Sequence, residues 1–135
     1  MKIVGTRKVL DVDIIVIDTI NKMFGAVNNQ LCSLNIKILP IDLHMIDRIH
    51  DRNFSPEDVI TGLSIFNRTR LCEFLYSLTK CNKDFLKFCL IFNKKFVIHG
   101  TVTKKKVYLV RFKTIVKHYP HYENDNRDDI QIIFN

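Results

Sequence analysis

The sequence predicts an α+β fold, with N-terminal helices packed on a C-terminal antiparallel sheet of about four strands. Three observations predict it. Before Lys80, apolar residues recur at steps of three and four, the spacing of one helical face. Ser55-Pro56-Glu57-Asp58 stands in the middle of that half and has the chemistry of a helix start. Beyond Asp84 the chain turns to runs of β-branched and aromatic residues broken by short polar turns. A chain of 135 residues, 47% hydrophobic and with ten Phe, can bury one real core, so residues 1–135 are expected to form a single domain.

Met1–Val9 reads as a short extended start. Leu10–Leu34 reads as a helix on Ile14, Ile17, Ile20, Phe24 and Val27, with Asp11 and Asp13 suited to its positive N-terminal end and Asn28-Asn29 loosening its other end. The β-branched run Val12–Ile17 leaves a buried strand open as an alternative. Ile36–Leu39 reads as a short strand or an extended link closed by Pro40, after which Asp42 can cap a helix running to about Asp51. On that helix Met45, Ile46 and Ile49 form an apolar stripe. His44, Asp47, Arg48, Asp51 and Arg52 fall on the opposite side, within roughly 140° of one another at 100° per residue. Asn53-Phe54 breaks the helix, and Ser55 restarts it with Val59, Ile60, Leu63 and Phe66 as its buried face. In Thr69–Thr79, Leu71, Phe74, Leu75 and Leu78 fit a helix, while a strand over Leu71–Ser77 stays open. Phe88–Phe92, Phe96–Val102 and Val107–Lys117 read as strands joined by turns at Asn93–Lys95 and Thr103–Lys106. Gln131–Phe134 is expected as a last edge strand beyond an acidic loop, 123–129. There are no internal repeats.

Composition excludes several classes. The longest apolar runs, Ile14–Ile17 and Phe88–Phe92, fall far short of the roughly 18–20 residues that span a bilayer, so no membrane association is expected. The N-terminus lacks an apolar core followed by a cleavage site, so no signal peptide is expected. Four Cys stand at 32, 72, 81 and 89, with no CxxC pair and no zinc spacing. They read as buried free thiols of a cytoplasmic protein. No Gly-rich phosphate loop and no GxSxG sequence is present, which sets aside nucleotide hydrolysis and serine chemistry.

Charge is unevenly placed. The net charge is +7, and residues 85–122 carry nine Lys or Arg and no acid, whereas Glu123–Asp129 carries four acids against one Arg. A basic stretch of this kind attracts polyanions. A lysine-rich strand edge that blocks aggregation explains it equally well. In the strand Val107–His118, regular alternation puts Tyr108, Val110, Phe112, Thr114, Val116 and His118 on one face. Val107, Leu109, Arg111, Lys113, Ile115 and Lys117 fall on the other, which turns basic halfway along.

His44, Arg48 and Arg52 stand at i, i+4 and i+8 and line one helical face. Two arginines one turn apart repel. Asp47 and Asp51 can relieve that repulsion as a surface salt-bridge ladder, and an anion gripped by both guanidinium groups would relieve it too. A histidine beside two arginines is a minimal kit for cleaving RNA: proton exchange at the histidine and cations against the charge that builds on the phosphate.

The run His44-Met-Ile-Asp-Arg48-Ile-His-Asp-Arg52-Asn-Phe-Ser-Pro-Glu-Asp-Val59 resembles the His-Arg-Arg segment of the RelE-like, or barnase–EndoU–colicin–RelE, superfamily of small endoribonucleases, and most nearly its phage RegB-type members. The resemblance covers about 20 residues by motif and the remainder by the order of elements. It implies helices before an antiparallel sheet and RNA cleavage without a metal or other cofactor, by attack of the 2′-hydroxyl to give a 2′,3′-cyclic phosphate. By it, His44 is a candidate general acid or base, and Arg48 and Arg52 are candidate phosphate ligands or structural pairs, Arg48 placed with the catalytic groups and Arg52 with the RNA contacts. RegB-type members have a second histidine in the following helix, where this chain has Ser64. Other members of the superfamily place catalytic groups on a late strand. That placement points to His118 as the proton partner of His44, and to Arg111, Lys113, Thr114 and Lys117 as RNA contacts. Lys113 and His118 face opposite ways on a regular strand, so both serve only if the strand twists or bulges.

His118-Tyr-Pro-His121 with Glu123 and Asp125 is an alternative metal site, against which Pro120 imposes a turn without fixed ligand geometry. His99 and His50 read as structural. The expected function is a toxin-like or phage-regulatory endoribonuclease acting on single-stranded or ribosome-bound RNA, with an antitoxin or host protein as a further partner. A non-catalytic module of the same fold, binding RNA or a host protein, is the alternative. A helix-turn-helix DNA-binding reading of the Asp42–Ser64 helix pair is disfavoured by its two-residue link and by acids at the start of its second helix.

Overall fold

The computed structural model describes residues 3–4, 7–8, 11–31, 35–41, 43–65 and 71–134. Two short strands, β1 (Ile3–Val4) and β2 (Arg7–Lys8), pair antiparallel. Helix α1 (Asp11–Leu31) comes next, so the strand alternative for Val12–Ile17 falls away. Its buried stripe is Val16, Ile20, Phe24 and Val27, while Ile14 is 54% exposed. The helix also runs through Asn28-Asn29 instead of loosening there. The Asn28 side chain accepts from the Ile38 amide at 2.7 Å and donates to the Ile38 carbonyl at 2.9 Å. Asn21, two turns earlier, accepts from the Ile41 amide at 2.8 Å. Both amides thus satisfy backbone groups of an edge segment that, among the described residues, has no strand on that side.

That segment begins with β3 (Ile36–Ile38) and leads into α2 (Leu43–Asp51), which buries Met45, Ile46 and Ile49 as its amphipathic spacing requires. The cap expected at Asp42 lies outside the described residues. Asn53 ends α2 in the left-handed region (φ 56), with Phe54 N–H donating to the Ile49 carbonyl and Asn53 N–H to that of His50. This is the Schellman arrangement, in which Asn tolerates the conformation glycine usually fills. Helix α3 (Pro56–Ile65) starts where Ser55 predicts, with the Asp58 amide donating to Ser55 Oγ. Val59 and Leu63 are buried and Ile60 is half-buried, while Phe66 lies outside the described residues. The ambiguous stretch is helix α4 (Leu71–Lys80), with Phe74 and Leu78 inward.

Strands β4 (Phe85–Phe92), β5 (Phe96–Lys104) and β6 (Tyr108–Lys117), a short helix α5 (Tyr122–Asp125) inside the expected acidic loop, and β7 (Ile130–Phe134) complete the chain. The sheet has five strands in the order β3-β6-β5-β4-β7. It is mixed, correcting the expected antiparallel sheet of about four: β4, β5 and β6 are antiparallel, but β3 joins β6 and β7 joins β4 in parallel. Each parallel strand returns through intervening helix or loop, which lets it lie along an edge in that sense.

The helices cover one face. Phe24 stacks on Phe112 (centroids 5.0 Å apart), and Phe88 meets both Phe112 and Phe74 edge-on. On the opposite, outer face a smaller apolar group of Cys89, Ile91, Val97 and Tyr122 lies beneath α5. Burial on both faces explains why β4 reads as an unbroken apolar run. The central strands carry one irregularity. His99 pairs with Thr114 but Gly100 pairs with Phe112, so Lys113 is an extra residue, a β-bulge in β6. Before it, Val110 and Phe112 face the helices. After it, Ile115 does so, and Val116 faces outward. The strand changes phase midway, unlike the regular alternation expected.

Candidate phosphate-binding cleft

The cleft forms where β6 outruns β3. The pairing of β3 with β6 stops at Val110, and α2 lies against the edge of β6 beyond it. The buried stripe of α2 fixes the helix rotation, so His44, Arg48 and Arg52 turn toward that edge. From β6 come Arg111, Lys113 and Thr114, with the buried Phe112 also in the wall. The cleft is open to solvent and has a volume of about 480 Å³. Three arginines, one lysine and one histidine line it, and no carboxylate does so among the described residues. A concave site with four fixed cations focuses positive potential and draws in an anionic ligand. Arg48 is half-buried and His44 is exposed.

Arg52 bridges the two walls. Its Nη1 donates to Thr114 Oγ1 at 3.1 Å and to the Ile115 carbonyl, a backbone acceptor on the edge left open by β3. A guanidinium has five N–H donors, so others remain for an anion. Arg52 sits at the C-cap of α2, so the Schellman turn at Asn53 places it there. The bulge does the same for the other wall, because the extra residue it inserts is Lys113.

The structure therefore brings together His44, Arg48, Arg52, Arg111, Lys113 and Thr114, and it does not bring Lys117 or His118 to them. His118 lies on the outer face, its side chain 8% exposed, with Nε2 2.9 Å from Glu123 Oε1 and its ring against Tyr122. That hydrogen bond holds the Glu123 carboxyl below its ordinary range. The phase change at Lys113 is the physical reason His118 does not reach His44.

Sequence reasoning missed a partly buried polar network beneath α5. His99 Nδ1 lies 2.9 Å from Asp128 Oδ2, and its Nε2 meets the Tyr122 hydroxyl, to which Asn126 also donates. Burial pushes the neighbouring Cys89 thiol up to about 12, so it stays protonated and inert. The continuous apolar run of β4, beside an acidic segment rich in Asn and Tyr, was the signal that something polar covers that face. His121 is exposed and turns away in a left-handed conformation (φ 71). Among the described residues no group of three or more His, Cys, Asp or Glu could hold a metal ion. Among them, too, no helix is long and apolar enough to cross a membrane.

No protein-family model matches the chain, and no similar curated protein or solved structure is found.

Proposed function

We propose that the protein is an endoribonuclease that holds one phosphate of an RNA strand in the cleft between α2 and β6 and cleaves there. The observation that carries this reading is the convergence of His44 with four cations and no lining carboxylate among the described residues. In the proposed step His44 removes the 2′-hydroxyl proton, the P–O2′ bond forms and the P–O5′ bond breaks. The 5′-oxygen takes a proton from solvent or from the Lys113 ammonium, leaving a 2′,3′-cyclic phosphate and a 5′-hydroxyl. Arg48 and the further donors of Arg52 oppose the charge that builds on the phosphate oxygens. The resemblance of residues 44–59 to the RelE-like endoribonucleases supports the same reading. A toxin-like or phage-regulatory role, ribosome-bound RNA as target, and an antitoxin or host partner rest on that resemblance alone.

The test is incubation with total RNA in EDTA, followed by end-group analysis, for the wild type and His44→Ala. Cyclic phosphate ends that disappear in the variant support the proposal, and wild-type cleavage rates in His44→Ala sink it. One observation favours a second reading, RNA binding without cleavage: His44 is the only histidine or carboxylate lining the cleft among the described residues, and His118 is engaged elsewhere. That reading expects bound, intact RNA under the same conditions.

A further inference from the structure

The outer face of the sheet is divided. Toward α5 it is covered and apolar: Cys89, Ile91, Val97 and Val116 lie under Tyr122. Toward the other end it is open. There Phe85 and Lys87 of β4, Thr101 and Thr103 of β5, and Leu109 and Arg111 of β6 share one face in cross-strand register. This open half forms a shallow groove of about 250 Å³. The groove and the cleft are continuous, because Arg111 and Lys113 line both.

Phe85 is the feature that strand chemistry alone does not explain. It is 51% exposed while the other aromatics of β4, Phe88 and Phe92, are buried. From Arg111 it stands two strands across and two residues along, about 12 Å by strand spacing and rise. Between them lie the half-buried hydroxyls of Thr101 and Thr103. An aromatic face, small hydroxyls and a cationic margin running into a phosphate site match how single strands are bound: charges track the backbone and rings stack on bases. A duplex would not fit, since its bases are already stacked.

We infer that the open half of the sheet binds single-stranded RNA next to the cleaved phosphate, with one base stacked on Phe85. This rests on the proposed binding of an RNA phosphate in the cleft. The strand crosses the sheet edge at Lys113, passes Arg111 and lays its next bases over Thr101, Thr103 and Phe85. Stacking accepts any base, so this subsite adds affinity without strong sequence preference.

The test uses 2′-O-methyl RNA, which lacks the nucleophile, as a hexanucleotide and as a dinucleotide that fills the cleft alone. Phe85→Ala is expected to weaken hexanucleotide binding by about 5- to 150-fold, the range for one stacked base, and to leave dinucleotide binding unchanged. Phe85→Trp is expected to retain binding. The chain has no other Trp, so the indole emission of that variant should be quenched by the hexanucleotide and not by the dinucleotide. Hexanucleotide binding by Phe85→Ala at wild-type strength, or an indole indifferent to RNA, overturns the inference. The two levels separate cleanly. If the wild type binds neither RNA, or Arg48→Ala binds both as tightly as wild type, the cleft reading itself fails. If Arg48→Ala loses RNA but Phe85→Ala does not, only the stacking subsite fails.

Discussion

Two glycine-to-alanine substitutions should move stability in opposite directions, and the sharper of them tests the strand contact beneath the cleft. A Cβ on Gly100 would overlap the tip of the Phe88 ring and the carbonyl oxygen of Arg111. Phe88 is fully buried between Phe74 and Phe112, and the Arg111 carbonyl belongs to the next strand's backbone, so neither can yield as a flexible end would. Overpacking of a close-packed core costs about 1–3 kcal/mol, and two fixed obstacles put Gly100→Ala at about 3 kcal/mol or above. At this chain length each kcal/mol shifts Tm by roughly 3–5 °C, giving a fall of about 10 °C or more. Gly25 sits on the exposed side of helix α1 with nothing within 4 Å of its Cβ position. There alanine should stabilise by about 0.5–1 kcal/mol through helix propensity and a less free unfolded chain. Thermal melts and urea midpoints on the two variants give both signs. A Gly100→Ala protein melting within about 2 °C of wild type would refute the close approach of β5 to β6 at the bulge, and with it the stated placement of Lys113.

Other consequences are accessible to routine measurement. Arg52→Lys keeps the charge but loses the planar Nη1 group that donates to both Thr114 and the Ile115 carbonyl. It should cost about 1 kcal/mol in urea unfolding, and Thr114→Val should add little in that background because the two share one interaction. Arg48→Ala and Lys113→Ala should each reduce the slope of log affinity against log salt for single-stranded RNA by roughly 0.7, and an unchanged slope would remove that residue from the phosphate contacts. Asp129 accepts from the Lys83 ammonium and from the Lys87 amide, and these bonds hold its carboxyl below the ordinary range. A depressed carboxyl contributes stability above the unfolded-chain value of about 4 and loses it as pH falls through the lower folded value. Asp129→Asn should therefore lower the urea midpoint at neutral pH and flatten its decline below about pH 4. Lys83 is raised by the same pair, so its share is present at neutral pH and is lost only as alkaline pH passes its raised folded value.

What the sequence made legible was whatever local chemistry decides. Ser55-Pro56-Glu57-Asp58 starts α3 where capping rules put it, and the three apolar residues of α2 are buried as their spacing requires. The stripe of α1 was legible only in its later turns. Ile14 fits the period as well as Val16 does, and only tertiary packing decides that the helix meets the core from Val16 onward. Asn28 looked like a helix breaker because its side chain competes with the backbone for hydrogen bonds. In the fold it spends those bonds on Ile38, a partner ten residues away that no local rule names. The parallel senses of β3 and β7 were hidden for the same reason, since strand direction depends on how long connections return.

The site shows the same division one level up. The wall from α2 was legible because helical period is rigid: with Met45, Ile46 and Ile49 inward, His44, Arg48 and Arg52 have only one side left. The wall from β6 was legible only as far as the strand is regular. A period of two carries an error to every later residue, so one inserted residue reverses all that come after it. Arg111 precedes the bulge and lands in the cleft; His118 comes after it and lands beneath α5, beside Tyr122. Gly100 is the residue that admits the close approach, yet a lone glycine in a strand signals a bulge only in its partner's company, and that partner is set by pairing across the sheet. The bulge thus both builds the cleft, by presenting Lys113, and denies it the second histidine. The same extra residue that adds a cation to the cleft wall leaves His44 as the cleft's one histidine or carboxylate, among the described residues.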